Sequence, residues 1–119
     1  MKKTIKIGDK SYFMKSSAYT QFKYRNDTGR RLLDDIQKVS KINNLPEEEQ
    51  VTQVDDILDL ILRIAYIMID EADEKQVGTF EEFLKGIDGL FDDPKWIQEV
   101  IELAAAPISR GIQVNKETE

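Results

Sequence analysis

One stretch near the middle of the chain, ILDLILRIAYIMI at residues 57 to 69, constrains the fold more than any other. Asp59 and Arg63 are its only charged residues, and their spacing of four favours an ion pair along a helix. Its 13 residues are fewer than the roughly 20 that a membrane-spanning helix needs. A helix that is apolar on nearly every side is buried on nearly every side. We therefore expect either the central helix of a domain or part of an oligomer interface.

The helix that contains this stretch is predicted to be the longest, over residues 47 to 72. Pro46 suits the first turn of a helix, and the glutamates at 47 to 49 favour its positively polarised N-terminal end. An acidic segment, residues 70 to 78, is expected to form the loop that follows.

Two short β-prone segments precede the helices, at residues 3 to 7 and 11 to 15. Gly8 and Asp9 between them are the residue types of a hairpin turn. Isoleucines alternate with lysines in the first segment, which predicts one buried face and an edge protected against unwanted pairing. A lone hairpin is marginal in water, so we expect it to pack on helices or to pair with another chain.

A short helix is predicted after the hairpin, over residues 18 to 25. Ser16 or Ser17 is expected to cap it. Its inward-facing residues are expected to be Ala18 or Tyr19, together with Phe22.

The segment NDTG, residues 26 to 29, is expected to end that helix. Asp27 or Thr28 is then placed to cap a second helix, which runs to Ile42 or Asn43. Helical spacing gives the second helix one apolar stripe, formed by Leu32, Ile36, Val39 and Ile42 or Asn43.

Two further helices are predicted after the acidic loop. Thr79 followed by Glu82 fits a capping box that opens the helix FEEFLKGIDGLF. A last helix is expected over residues 95 to 105, with Pro107 stopping it. The predicted fold is therefore α+β and mainly α, a short N-terminal β-hairpin followed by four to five helices. We expect one domain over residues 1–106 and a flexible tail over residues 107–119.

The composition argues against an enzyme. The chain has no cysteine and no histidine, which removes the thiolate nucleophile, the zinc–thiolate site and the most common general base. Its adjacent acidic pairs point about 100° apart on a helix, so we interpret each as solvated surface or an N-terminal cap. The acidic loop lacks the oxygen ligands of a calcium-binding loop at three of four required positions. We expect no catalytic residue, no metal and no cofactor.

Charge is distributed unevenly along the chain. Residues 1 to 31 carry nine basic and two acidic residues, whereas residues 32 to 119 carry eight and twenty-one. The basic third could bind nucleic acid, or it could attract neighbouring protomers or other parts of the same fold, which we favour. The candidates for self-association or another contact by basic side chains are Lys23, Arg25, Arg30 and Arg31.

Aromatic residues accompany this basic region. They are Tyr12, Phe13, Tyr19, Phe22 and Tyr24. Such a mixture is compatible with a surface on which nucleic-acid bases stack. We favour the alternative, in which these rings form the core between the hairpin and the first helix.

Apolar residues of the third and last helices are the candidates for binding a partner. The last helix has Trp96, Val100 and Leu103 at spacings of four and three, which fits docking either in the core or on a partner, and the core is favoured. The predicted partner-binding residues are Ile61, Ile64, Met68, Trp96, Val100 and Leu103.

The N-terminal forty residues carry a family resemblance. The lysine-bearing hairpin KIGDKSYFMK is followed by SAYTQFKYRNDTGRRLLDDI, with Phe22, Tyr24, Asn26, Gly29 and Leu32 at the characteristic positions. This order resembles the tail assembly chaperones of long-tailed, siphovirus-type phages and prophages of Gram-positive bacteria. Beyond these residues the similarity is one of general character.

The resemblance implies a non-enzymatic assembly factor. Such a protein would bind the long helical tape-measure protein, keep it soluble and help the tail tube protein to assemble around it. It would act in the cytoplasm of the bacterial host, which fits an N-terminus that lacks the apolar core of a signal peptide. It would have no membrane partner, and it could form a homo-oligomer.

Two other functions remain open at this point. The net charge of −13 over residues 32 to 119 would suit an acidic DNA mimic or a regulatory protein of a mobile element, although the basic N-terminal third argues against a mimic. That basic third would suit a small nucleic-acid-binding module.

Overall fold

The chain folds into a two-stranded antiparallel sheet and five helices, as seen in a computed structural model. The structure describes the backbone of residues 1–42 and 47–117, and the side chains of residues 1–41 and 58–108. The predicted class, α+β and mainly α with an N-terminal hairpin, is confirmed.

The hairpin consists of β1 (Lys2–Ile7) and β2 (Lys10–Lys15), joined at Gly8 and Asp9 as predicted. Its register places Ile5 opposite Tyr12. The inward face carries four buried residues, Ile5, Ile7, Tyr12 and Met14. The alternation in the sequence therefore predicted both the strands and the face that packs on the helices.

Helix α1 spans Ala18–Thr28 and is longer than predicted at its C-terminal end. Ser17 is its N-cap, within a capping box closed by Thr20. The helix ends at Gly29, whose φ of 71° lies in the left-handed region that glycine adopts without strain. The prediction that the segment NDTG breaks the helix was therefore wrong for its first three residues.

Asp27 and Thr28 belong to α1 and do not cap the next helix, contrary to the prediction. Asp27 forms an ion pair with Lys23 at 3.3 Å, one turn earlier in the same helix. The Thr28 hydroxyl donates a hydrogen bond of 2.6 Å to the backbone oxygen of Tyr24. Both side chains therefore stabilise the C-terminal end of α1.

The inward face of α1 also differs from the prediction. Thr20 and Tyr24 are its buried residues, whereas Ala18, Tyr19 and Phe22 are exposed. The hydroxyl groups of Thr20 and Tyr24 both find carboxylate partners, which makes their burial favourable.

Helix α2 (Leu32–Ile42) turns its predicted stripe of Leu32, Ile36 and Val39 into the core. Asn43 and the side chain of Ile42, the expected end of that stripe, lie outside the described residues.

Helix α3 (Glu47–Ala72) has the predicted bounds and occupies the centre of the fold. It contacts β2 and every other helix. Seven of its described side chains are buried: Ile61, Leu62, Ile64, Ala65, Ile67, Met68 and Ile69. These seven residues of the apolar stretch are thus covered within a single chain. Arg63 does not pair with Asp59 as predicted, because its guanidinium lies 3.8 Å from the centre of the Phe80 ring.

Helix α4 (Phe80–Lys85) begins at the predicted capping box of Thr79 and Glu82. It ends earlier than predicted, because Gly86 and Gly89 weaken the sequence that follows and Gly89 takes a φ of 70°. Phe83 is the residue that α4 buries.

Helix α5 (Lys95–Glu117) continues through Pro107, where the sequence predicted a stop. A proline inside a helix removes one backbone hydrogen bond. Ile108, the next residue, is partly buried against the core, and this contact favours continuation of the helix. The predicted flexibility of residues 107–119 remains a prediction. None of the helices, over the residues that were searched, is long and apolar enough to cross a membrane.

Candidate protein-binding surface

The six predicted partner-binding residues are all in the core, with exposed fractions between 0% and 6%. They are Ile61, Ile64, Met68, Trp96, Val100 and Leu103. The indole N–H of Trp96 also donates a 2.8 Å hydrogen bond to the backbone oxygen of Leu90, which fixes the ring in place. These residues therefore do not form a surface in the folded chain. They pack in the core, which was the favoured alternative for the last helix.

The corner between α1 and α2 is held by a buried carboxylate. Asp35 is 3% exposed and accepts a hydrogen bond of 2.6 Å from the Tyr24 hydroxyl. Arg30 binds the same carboxylate with two nitrogens, at 2.9 and 2.7 Å. The two-pronged Arg30 contact joins the linker to α2, and the Tyr24 hydrogen bond joins α1 to the same carboxylate.

Each member of this cluster has a shifted pKa. Burial raises the pKa of the Asp35 carboxyl, but the hydrogen bonds from Arg30 and Tyr24 and the charge of Arg30 outweigh burial and hold that pKa below its ordinary value. Burial and the Asp35 carboxylate raise the pKa of Tyr24, and the bond to Asp35 raises that of Arg30. The cluster is therefore ionised as an Arg–Asp pair with a neutral tyrosine.

The remaining basic candidates lie on the surface. Lys23 is held by Asp27, and Arg31 reaches Asp34 only at 3.8 Å. Arg25 and Arg31 line an open groove of about 370 Å³ together with Gln21 and Leu32. Arg30 thus has a structural contact, whereas Arg25 and Arg31 present their charge to solvent.

Two aromatic rings of α1 are exposed, and in the sequence they lie close to Gln21 and Arg25 of this groove. Tyr19 is 51% exposed and Phe22 is 64% exposed. Their ring centres are 6.3 Å apart with planes inclined at 38°. Covering these two rings with another surface would remove apolar area from water.

The predicted aromatic core is therefore only partly correct. Tyr12 and Tyr24 are buried, but Phe13, Tyr19 and Phe22 are exposed. Tyr12 packs edge-on against Phe83 at 5.4 Å between ring centres. Besides Phe13, Tyr19 and Phe22, the exposed large apolar residues among the described side chains are Met1, Leu84 and Phe91.

A polar clamp fixes the N-terminal end of α1. The hydroxyls of Ser17 and Thr20 both donate to the carboxylate of Glu71 on α3, at 2.7 and 2.6 Å. The same two residues form the capping box of α1. The Asp35 cluster holds the other end of α1. Contacts at both ends therefore fix the helix that carries the two exposed rings.

The prediction that Tyr19 and Phe22 face inward was wrong because it rested only on their being aromatic. A signal was nevertheless present. Thr20 and Tyr24 are four residues apart, and with Ser17 as a cap they define an inward face that excludes Tyr19 and Phe22.

The described part of the chain contains no group of three or more acidic side chains arranged to hold a metal ion. Comparison with protein-family models, curated proteins and solved structures finds no match to this chain. The chemistry available at the α1 surface is apolar and cationic contact, which suits binding of another macromolecule.

Proposed function

We propose that the chain is a non-enzymatic tail assembly chaperone of a siphovirus-type phage or prophage, which binds the tape-measure protein and aids assembly of the tail tube. The family resemblance of the N-terminal forty residues suggests this function. The observation that carries the proposal is the exposed pair of Tyr19 and Phe22 on a doubly anchored helix.

The resemblance implies a long helical tape-measure protein that must be kept soluble while the tail tube assembles around it. An exposed aromatic pair on α1 would cover an apolar stripe of such a helix by helix-to-helix contact. Full burial of one aromatic side chain is worth about 1.5 to 3 kcal/mol. Tyr19 and Phe22 are 51% and 64% exposed, so covering them supplies roughly half of that value per ring, and the rings would form the centre of a larger contact.

The interface differs from the one predicted at first. The apolar residues of α3 and α5 form the scaffold, and α1 provides the contact. Arg25, which is exposed three residues after Phe22, would pair with acidic residues that flank an apolar stripe. The tail tube protein is a further partner under this proposal.

Co-expression tests the proposal directly. The chain would be produced together with the tape-measure protein encoded in the same phage or prophage genome, and the soluble fraction of the tape-measure protein would be measured. We expect the chain to raise that fraction and to co-purify with it. A tape-measure protein that is equally soluble without the chain, and does not co-purify, would refute the proposal.

A second candidate function is binding of single-stranded nucleic acid. The observation that favours it is the placement of Tyr19 and Phe22 on the same helix as Arg25, which combines stacking surfaces with a solvent-facing charge. Fluorescence anisotropy with a labelled oligothymidylate would detect it. A binding constant that falls steeply with salt concentration, and that depends on Tyr19 and Phe22, would favour this function over the chaperone.

A further inference from the structure

The two outer edges of the hairpin are not equivalent. The outer edge of β2 is closed by the side-chain amide of Gln76, which accepts a hydrogen bond from the Phe13 N–H and donates one to the Phe13 oxygen, both at 2.9 Å. Gln76 therefore binds β2 in the way that a residue of a neighbouring strand would. No described residue is seen to do the same for β1.

The alternation along β1 shows which of its backbone groups face outward. Met1 and Ser16 exchange hydrogen bonds in both directions, at 2.8 and 3.1 Å, so they form a hydrogen-bonded pair. In an antiparallel ladder such pairs alternate with pairs whose backbone groups point away. The outward-pointing residues of β1 are therefore Lys2, Thr4 and Lys6, and all three are exposed.

The charge of this edge restricts what can pair with it. Lys3 is held by Glu99 at 3.1 Å, but among the described side chains no ion pair includes Lys2 or Lys6. Antiparallel pairing with β1 of a second copy would place lysines opposite lysines, which is destabilising. A strand with acidic residues at alternate positions would instead place a carboxylate opposite each of these two lysines.

A groove next to this edge provides space for those side chains of an added strand that point away from Lys2 and Lys6. It has a volume of about 280 Å³ and lies between Lys6 and the start of α5, and its other lining residues are Gly8, Asp9, Asp92, Asp93, Lys95, Trp96 and Glu99. Because four of these residues are acidic, the side chains of an added strand that enter the groove must be uncharged or basic, and its acidic side chains are restricted to the opposite face. The alternate side chains of an added strand would enter this groove, while its acidic side chains would lie on the solvent side with Lys2 and Lys6.

We propose that the outer edge of β1 binds an extended acidic segment of a partner protein by strand addition, with carboxylates opposite Lys2 and Lys6. Backbone hydrogen bonds to Lys2, Thr4 and Lys6 provide the affinity, and the lysines select acidic segments and reject a second copy of this chain. This site is separate from Tyr19 and Phe22, so it stands independently of the chaperone function.

The probe is a capped seven-residue peptide of alternating glutamate and valine, titrated into the isotope-labelled protein and followed by backbone amide shifts in NMR spectra. We expect the largest shifts at Lys2, Thr4 and Lys6. A peptide with lysine in place of glutamate, and one with N-methyl groups on the glutamate amides, should each bind at least tenfold more weakly. Equal binding of the N-methylated peptide would overturn strand addition.

Two variants separate backbone pairing from charge. Thr4→Pro removes an outward N–H without removing a hydrogen bond to β2, so the hairpin should persist while affinity falls at least tenfold. The double variant Lys2→Glu with Lys6→Glu should lose at least as much, whereas Lys75→Glu, the same change in an exposed turn, should not. If Thr4→Pro unfolds the chain, the N-methylated peptide still provides the backbone test on the wild-type protein.

The oligomeric state tests whether the β1 edge binds an acidic partner segment or a second copy of this chain. Light scattering of the free chain should give the same mass for the wild type and for Thr4→Pro. A wild-type dimer that Thr4→Pro dissociates would show that a second copy occupies the edge, and would overturn the assignment to an acidic partner segment.

Discussion

At the scale of single residues, the carboxylate of Asp35 determines how the first two helices meet. Asp35→Ala would leave the buried Tyr24 hydroxyl without an acceptor and Arg30 without its partner. We expect a loss of about 3 kcal/mol in the free energy of unfolding, measured by urea denaturation. Tyr24→Phe, which removes one hydrogen bond and keeps the ring, should lose only about 1 kcal/mol. Equal losses would show that the hydroxyl, and not the Arg30 contact, carries the stabilisation.

The same carboxylate contributes a pH dependence. Its pKa is lower in the folded chain than its ordinary value of 3.8, so folding favours the ionised form. The contribution is fully present above that ordinary value and is lost as the pH falls through the folded pKa. The difference in unfolding free energy between wild type and Asp35→Asn should therefore shrink below about pH 4. A difference that stays constant down to pH 2 would contradict the ion pair.

Two adjacent arginines show what sequence alone leaves open at this scale. Arg30 and Arg31 have the same charge and are adjacent in the sequence. Yet Arg30 binds Asp35 at 2.7 Å, whereas Arg31 has a side chain that is 73% exposed. A glycine at the end of a helix is typical of a left-handed turn, but which of the two arginines faces α2 depends on how α1 and α2 pack together. The corner was predictable, but the assignment of each arginine was not.

At the scale of elements, two glycines with similar backbone angles should tolerate alanine differently. Gly29 has a φ of 71° and open space where a Cβ would lie, so Gly29→Ala should lose about 1 kcal/mol. Gly8 has a φ of 66°, but a Cβ there would overlap the backbone oxygen of Asp88. Gly8→Ala should therefore lose about 1 to 3 kcal/mol more than Gly29→Ala. Thermal unfolding of the two variants measures the difference, and equal losses would contradict the close approach of Asp88.

Helix interiors were predictable, whereas helix faces and ends depended on tertiary contacts. The long α3 and the capping box of Thr79 and Glu82 follow directly from residue pattern and chemistry. The end of α5 does not, since Ile108 packs on the core beyond a proline that normally ends a helix. The inward face of α1 was also misjudged, because two hydroxyl-bearing residues are buried by partners on α2 and α3.

At the scale of the whole molecule, the central position of α3 favours a monomer over the oligomer interface that its apolar stretch also allowed. The apolar residues from Ile61 to Ile69 are covered within one chain. We therefore expect light scattering at micromolar concentration to give a mass near 13.8 kDa. Twice that mass would reveal an interface on another surface, and the double variant Tyr19→Ser with Phe22→Ser would test whether α1 forms it.

The candidate site was less predictable from sequence than the fold, for a physical reason. Hydrophobic periodicity identifies residues that will be buried, and a single chain with a sufficient core buries them itself. The six predicted partner-binding residues followed that periodicity and became core. Tyr19 and Phe22 are aromatic and therefore count as residues to be buried, and only the inward face defined by Thr20 and Tyr24 excludes them.

The central claim is that α1, through its exposed aromatic pair, binds the tape-measure protein. Titration calorimetry with purified helical segments of the tape-measure protein tests it most directly. The double variant Tyr19→Ser with Phe22→Ser should keep the wild-type melting temperature and bind at least tenfold more weakly, because two apolar contacts are lost. Phe91→Ser, which changes another exposed ring, should bind like the wild type. Unchanged affinity in the double variant would contradict the account.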